Sequence, residues 1–205
     1  MSGARDLWEQ ERACWAGGYG TVCGCDEAGA GPLAGAVYAA AVILPRELRL
    51  PGLDDSKKLT PKKRAALYEQ ITAQAVSWSV ARVEAGEIDA TDILSARMNA
   101  MQMAIDGLSP VPDLALVDGN RDHGKAGAIV APHLLLVKGD SLSASIAAAS
   151  ILAKVSRDRY MEEMAAQYPQ YAFERHKGYP TKLHYERLRQ YGPCPIHRRS
   201  FLGRL

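Results

Sequence analysis

Two apolar, partly β-branched segments, residues 21–25 and 35–44, meet across one glycine-rich bend, Gly29-Ala30-Gly31-Pro32, and no other feature narrows the fold as far. Short apolar runs bounded by glycine and proline read as strands, and a second one following so soon is a natural pairing partner for the first. Further along, residues 76–84 alternate Val76, Trp78 and Val80 with Ser77 and Ser79, the period of a half-buried strand. Residues 114–117 and 134–137 read as short buried strands that end at Asp118-Gly119 and near Gly139-Asp140.

Helical segments separate these strands. Residues 6–16 form a short helix stopped by Gly17-Gly18. Thr60 followed by Pro61 is an N-cap with proline in the first turn, and opens a helix to about Ala75. Residues 87–107 place Ile88, Ile93, Leu94, Met98, Met101 and Ile105 at helical spacing, a stripe best read as core. A long helix spans residues 143–168; its Ala-rich opening permits close packing on a sheet, and residues 180–191 form a last amphipathic helix. Strands first, then strands alternating with helices, imply an α/β protein with a central mixed sheet flanked by helices.

The 205 residues fit one ordinary domain, and 47% hydrophobic with 23% charged residues supply a real core. The longest apolar run, residues 33–44, ends at Pro45 and is too short to span a bilayer. The opening residues, with Arg5, Asp6, Glu9 and Glu11, contain no apolar signal core, so a soluble cytoplasmic protein with no membrane contact is expected. Cys14, Cys23, Cys25 and Cys194 include no C-x-x-C pair and read as buried free thiols.

The net charge of +2 hides a division. From Lys154 onward eleven Lys and Arg oppose five Asp and Glu, a surplus of +6, which leaves −4 for the rest. Within that acidic remainder lies a basic cluster of Lys57, Lys58, Lys62, Lys63 and Arg64. Singly such runs are solvated faces. Two of them around an acidic centre suit a phosphate backbone held with metal between protein and phosphate.

The acidic centre consists of Asp26 and Glu27 where the first strand meets the bend, Asp118 where another strand ends, and Asp140 after a third. Carboxylates at neighbouring strand ends can converge, and hard oxygen ligands suit Mg²⁺ or Mn²⁺. Two such ions about 4 Å apart activate water and stabilise the leaving oxygen in phosphodiester cleavage. Each residue also has an ordinary role: Asp118 before Gly119-Asn120 as a turn residue, Asp140 near a helix N-terminus. Adjacent strand residues face opposite ways, so Asp26 and Glu27 serve one site only if the strand ends or bulges there. Asp158, beside Arg157 and Arg159, is the competing carboxylate. A mostly helical segment would put it roughly 20–27 Å from Asp140, so it reads as a surface ion-pair residue.

Several motifs, in order along nearly the whole chain, resemble the ribonuclease HII family. They are Cys25-Asp26-Glu27-Ala28-Gly29 with Gly31-Pro32-Leu33-Ala34-Gly35, then Asp55-Ser56-Lys57-Lys58-Leu59-Thr60, then Val117-Asp118-Gly119. Lys138-Gly139-Asp140-Ser141 with Ala147 to Val155 follows, then His176-Lys177-Gly178-Tyr179-Pro180-Thr181, and finally Tyr191-Gly192-Pro193-Cys194-Pro195-Ile196-His197-Arg198. The resemblance implies a single ribonuclease H-like domain, with a catalytic core over about residues 19–168 and a C-terminal helical extension over about 169–205. It implies that Asp26, Glu27, Asp118 and Asp140 bind the metal ions and catalyse, and that Gly29, Ala30, Gly31, Ser56, Lys57, Lys58 and Tyr179 bind substrate. The implied substrates are RNA–DNA hybrid duplexes and DNA duplexes containing ribonucleotides. Cleavage would fall 5′ of a ribonucleotide, leaving a 3′-hydroxyl and a 5′-phosphate, and would serve ribonucleotide removal and repair.

The chain departs from the family at Ala30, where an Arg usually stands in a Gly-Arg-Gly segment that reads the 2′-hydroxyl and backbone at the RNA–DNA junction. Glycine still permits close backbone approach, but the guanidinium is lost. Tyr179 offers a plane to stack on a sugar or base; its ordinary role is packing before Pro180. Two other functions compete: a resolvase- or transposase-type DNA nuclease on a related fold, and a non-catalytic duplex-binding module.

Overall fold

A computed structural model of the chain describes residues 6–54, 56 and 59–203. Five strands, β1 (Val22–Ala28), β2 (Val37–Ile43), β3 (Ser77–Val83), β4 (Leu114–Asp118) and β5 (His133–Leu136), form one sheet in the order β3-β2-β1-β4-β5. The β1–β2 and β2–β3 pairs are antiparallel, whereas β1–β4 and β4–β5 are parallel. The expected mixed sheet is therefore present, and β1 lies where its two halves meet. Because β1 and β4 are parallel neighbours, their carboxyl ends emerge side by side.

The two faces of β1 are set by residue parity. Cys23 and Cys25 point into a core shared with α4 (Ile93–Asp106), where Met98, Met101 and Ile105 are buried, so the methionine stripe is core. Both thiols are free, as is that of Cys14. Gly24 faces α5 (Ala144–Gln167): a Cβ there would stand 2.1 Å from the carbonyl carbon of Ser145. Only glycine admits the helix so close, and the run from Ala144 to Ala153 supplies the matching small surface. Contacts continue in step, from Ser145 against Gly24 to Arg157 against Gly29. Twelve helical residues rise about 18 Å and five strand residues about 17 Å, so helix and strand keep register to the end of β1. The α5 face of the sheet also carries α2 (Pro61–Gln74), capped by Thr60.

Helix α1 (Glu9–Ala16) is tied to the start of α5. Glu11 is buried, and its Oε1 accepts hydrogen bonds from Ser143 Oγ at 2.5 Å, Ser145 Oγ at 2.6 Å and Ser145 N–H at 2.9 Å. A carboxylate at a helix N-terminus satisfies free N–H groups and complements the helix dipole.

Three expectations need correction. The segment read as one helix over 87–107 is two, α3 (Ala85–Ala90) and α4, because Asp92 caps α4 by accepting from Ser95 N–H at 2.9 Å. In edge strand β3 the apolar row is the more open one, with Trp78, and Val76 just before the strand, exposed. The small row lies nearer α4, where a Cβ on Gly107 would meet Ser79 Oγ at 2.2 Å. Arg157, next to the Asp158 read as a surface residue, is fully buried. Beyond α5 the chain forms α6 (Phe173–His176), α7 (Lys182–Tyr191) and α8 (Arg199–Leu202), which fold back on the 29–35 bend. Leu33 N–H donates to Gly178 O, Gly35 N–H to Ile196 O and Arg198 N–H to Leu33 O, each at 2.8 Å. Among the described residues no helix is long and apolar enough to cross a membrane.

Candidate active site

The last β1–β4 pair joins Cys25 to Val117, yet β1 continues through Asp26 and Glu27, which pair in unbroken register with Ala40 and Ala39 of β2. The strand neither ends nor bulges at the acidic pair, contrary to expectation. Instead β4 stops pairing first, which opens the β4 side of β1 and lets residues of both parities reach one cavity. That cavity, about 210 Å³, is lined by Asp26, Glu27 and Asp118, by the loop residues Gly29, Ala30 and Gly31, and by Ser56, Ser150, Lys154 and Tyr179 among others. A larger groove beside the 47–53 segment has, among the described residues, only Asp6 and Glu47 as acids and contains none of the cavity residues.

Asp26 is buried on the α5 side. It accepts from Glu27 N–H at 2.7 Å and is bonded to the Ser150 hydroxyl, which itself pairs with Ser56 Oγ at 2.8 Å. Burial first, then the charges of Glu27 and Asp118, push its carboxyl well above the usual carboxylate range. Glu27 lies on the α4 side, where Oε1 forms an ion pair with Arg97 at 2.5 Å. Burial raises its pKa, Arg97 opposes that rise and Asp118 adds to it. Asp118 Oδ1 accepts from Gly139 N–H at 2.6 Å. Asp140 sits buried in the next residue of that turn (Gly139–Ser141) and is not among the residues that line the cavity.

The donor set fits a hard divalent cation in one respect above others: it is short of positive charge. Glu27 Oε2 is buried without a hydrogen-bond partner, and Asp26 and Glu27 repel one another and Asp118. The charged donors of Asp26, Glu27 and Asp118 are carboxylate oxygens, the type that Mg²⁺ and Mn²⁺ take. Among the described residues no three His, Cys, Asp or Glu side chains are already closed around one point.

Tyr179 is 41% exposed at the cavity mouth, with the Arg157 guanidinium 5.8 Å and Lys154 Nζ 6.0 Å from its ring centre. Asp158 is occupied elsewhere, bonded to Lys154 at 2.8 Å and within 3.9 Å of Arg64. Lys57 and Lys58 lie outside the described residues. Sequence reasoning missed Ser150 and Lys154 as cavity residues. Their spacing of four on α5 and the break that Ser150 makes in the alanine run are the signals that mark them. It also missed Arg97, Arg157 and Arg198, whose roles depend on partners distant in sequence.

Below the bend, His176, His184 and His197 form a buried group. His184 Nδ1 lies 3.0 Å from Tyr179 O, and His184 Nε2 lies 3.0 Å from His197 Nε2. His197 Nδ1 accepts from Cys194 N–H at 2.9 Å. The tautomers follow: His197 donates through Nε2, and His184 accepts there while donating to Tyr179 through Nδ1. Neither ring has room for a second proton. Burial pulls both down to about 4, helped for His197 by its neighbour His184. Unfolded chains would bind protons at these rings from about pH 6.5, so the pair's contribution to stability is complete above that pH and declines toward pH 4. We expect a decline on the order of 1–2 kcal/mol, allowing for screening and for the coupling between the rings. NMR titration should show both imidazoles still neutral at pH 5.5; midpoints near 6.5 would contradict this arrangement.

The model of the family described as Ribonuclease HII matches residues 23–203. A ribonuclease HII of Geobacillus kaustophilus is 53% identical over 196 residues, covering 96% of this chain and 74% of that one. A ribonuclease HII of Bordetella avium is 54% identical over 180 residues, 88% of this chain and 87% of its own. Among solved structures, ribonuclease H2 of Pyrococcus horikoshii superimposes with a TM-score of 0.74 at 28% identity, over 89% of this chain and 94% of that one. The Bst-RNase HIII structure in complex with Mn²⁺, at 18% identity and a TM-score of 0.63 over 84% of this chain and 63% of its own, shares the fold. The mixed sheet flanked by helices is thus ribonuclease H-like, and with a family model spanning the chain and relatives above half identity, this chain belongs to the ribonuclease HII family of hydrolytic endoribonucleases.

Proposed function

We propose that Asp26, Glu27, Asp118 and Asp140 hold two Mn²⁺ or Mg²⁺ ions, and that the enzyme cuts the phosphodiester 5′ of a ribonucleotide in an RNA–DNA hybrid or within duplex DNA. The observation that carries this is the mutually repelling carboxylate group at the joint carboxyl ends of β1 and β4, with Asp26 buried and Glu27 and Asp118 half-buried, open to a cavity walled by the 29–31 loop. When bound, such ions activate the attacking water and stabilise the leaving oxygen. The residues present do the rest. Asp26 is oriented by Ser150 and the Glu27 N–H, and Asp118 by the Gly139 N–H. Lys154 stands at the wall as a positive charge for a phosphate. Tyr179 offers its ring to the sugar of the nucleotide whose 2′-hydroxyl is read. Ser56, held by Ser150, and Lys57 and Lys58, which follow it in sequence, serve the duplex backbone. The cytoplasmic location expected from the sequence belongs to the same reading.

The test is cleavage of three end-labelled duplexes, one with a single ribonucleotide, one RNA–DNA hybrid and one plain DNA, with Mn²⁺, Mg²⁺ or chelator. The proposal expects metal-dependent cutting of the first two only, leaving a 3′-hydroxyl and a 5′-phosphate. Cutting of plain DNA would favour a resolvase-type nuclease, and tight binding without cutting would favour a binding module.

A further inference from the structure

The loop that walls the cavity is fastened from inside by one side chain. Arg198 is fully buried, and its guanidinium donates five hydrogen bonds to four loop carbonyls. Nη2 bonds Gly29 O at 2.6 Å and Gly35 O at 2.8 Å. Nη1 bonds Ala30 O and Pro32 O, both at 2.9 Å, and Nε bonds Gly35 O at 3.0 Å. A guanidinium has five N–H donors, and each is used. Arg157 adds to this from α5, bonding Ala34 O and Ala36 O at 3.2 Å and Lys177 O at 3.1 Å. Gly29, with a φ of +96°, lies so near Arg157 that a Cβ would stand 2.0 Å from its Nε.

The consequence follows from peptide geometry. In a trans peptide the carbonyl of one residue and the N–H of the next point in opposite directions. With the carbonyls of Gly29 and Ala30 drawn inward to Arg198, the N–H groups of Ala30 and Gly31 are turned outward. Those two residues line the cavity, and Gly31 is exposed with nothing within 4 Å of the place a Cβ would occupy. We infer that Arg198 is a positioning residue for substrate recognition: by holding the carbonyls of the 29–35 loop it aims the Ala30 and Gly31 N–H groups at a phosphate or hydroxyl oxygen of the bound duplex. The inference rests on the proposed function for the identity of the substrate. Paired backbone N–H groups with a cation behind them form an anion-binding concavity. They also read an oxygen without any side chain at position 30, which is what a chain bearing Ala30 requires.

Arg198→Lys keeps a charge but offers at most three donors from one point, too few to hold four carbonyls. Losing the aim of two N–H groups should weaken substrate roughly tenfold. We expect KM for the single-ribonucleotide duplex, and Kd for the same duplex in chelator, to rise about tenfold while kcat changes less than about threefold. The Mn²⁺ concentration giving half-maximal rate should not move. A merely structural role would lower Tm and the active fraction without this split between KM and kcat. A folded Arg198→Lys protein with KM and Kd within about twofold of the parent overturns the inference. If that variant does not fold, amide NMR of the parent decides: adding duplex in chelator should shift the Ala30 and Gly31 resonances. Unmoved amides on saturating binding would refute the role. These amide shifts are independent of cleavage. A parent that binds with those shifts but cuts no ribonucleotide-containing duplex would therefore sink the proposed activity and leave the positioning role standing.

Discussion

Asp118→Asn and Asp26→Asn should each lower turnover at saturating Mn²⁺ by about a thousandfold, roughly 4 kcal/mol of transition-state stabilisation, while leaving the fold intact. Asparagine is isosteric, and its amide oxygen can still accept the Gly139 N–H at position 118 or the Glu27 N–H at position 26. What is lost is the negative charge that fixes a divalent ion. The metal-free proteins supply an independent check. Asp26 is buried among repelling carboxylates, so removing its charge relieves a cost, and the Asp26→Asn apoprotein should melt no lower than the parent. Steady-state kinetics with thermal melts in chelator measure both effects. Turnover within tenfold of the parent in either variant would contradict the site. Asp158→Asn serves as the comparison, since that carboxylate is engaged with Lys154 and Arg64 rather than facing the cavity.

Ala30→Arg should raise catalytic efficiency on a duplex with a single ribonucleotide by a factor corresponding to roughly 1–3 kcal/mol, the range for a charge-assisted hydrogen bond. Position 30 lines the cavity, and its φ lies outside the left-handed region, so a long side chain can be accepted without backbone strain. The gain should be smaller on a long hybrid, where many neighbouring 2′-hydroxyls already contribute contacts. Paired kcat/KM measurements of both proteins on both duplexes settle it. Equal gains would indicate general charge attraction, and no gain would mean that the loop backbone and Tyr179 suffice.

The elements that place this site were legible because local chemistry decided them. Thr60-Pro61 opens α2, the alanine run of α5 packs onto β1, and Asp118 closes β4 as its pattern implied. The strand at Asp26 and Glu27 was misread for a physical reason. A sequence shows that neighbouring residues face opposite ways, but not that β4 stops pairing first and exposes β1 from the side. Arg157 and Arg198 were illegible for another. Each sits beside other charged residues, Asp158 and Arg199, and looks like surface until the fold surrounds it with carbonyl oxygens. Position 30 illustrates the opposite case, in which the family resemblance exposed a missing side chain but not the backbone arrangement that remains.

The central claim, that the carboxylates at the joined ends of β1 and β4 hold divalent metal, is tested most directly by titrating Mn²⁺ and counting bound ions by electron paramagnetic resonance. The parent protein should bind Mn²⁺ saturably, and Asp26→Asn and Asp118→Asn should lose that binding, whereas Asp158→Asn should keep it. Undiminished Mn²⁺ binding in both Asp26→Asn and Asp118→Asn would place the metal elsewhere and contradict the account.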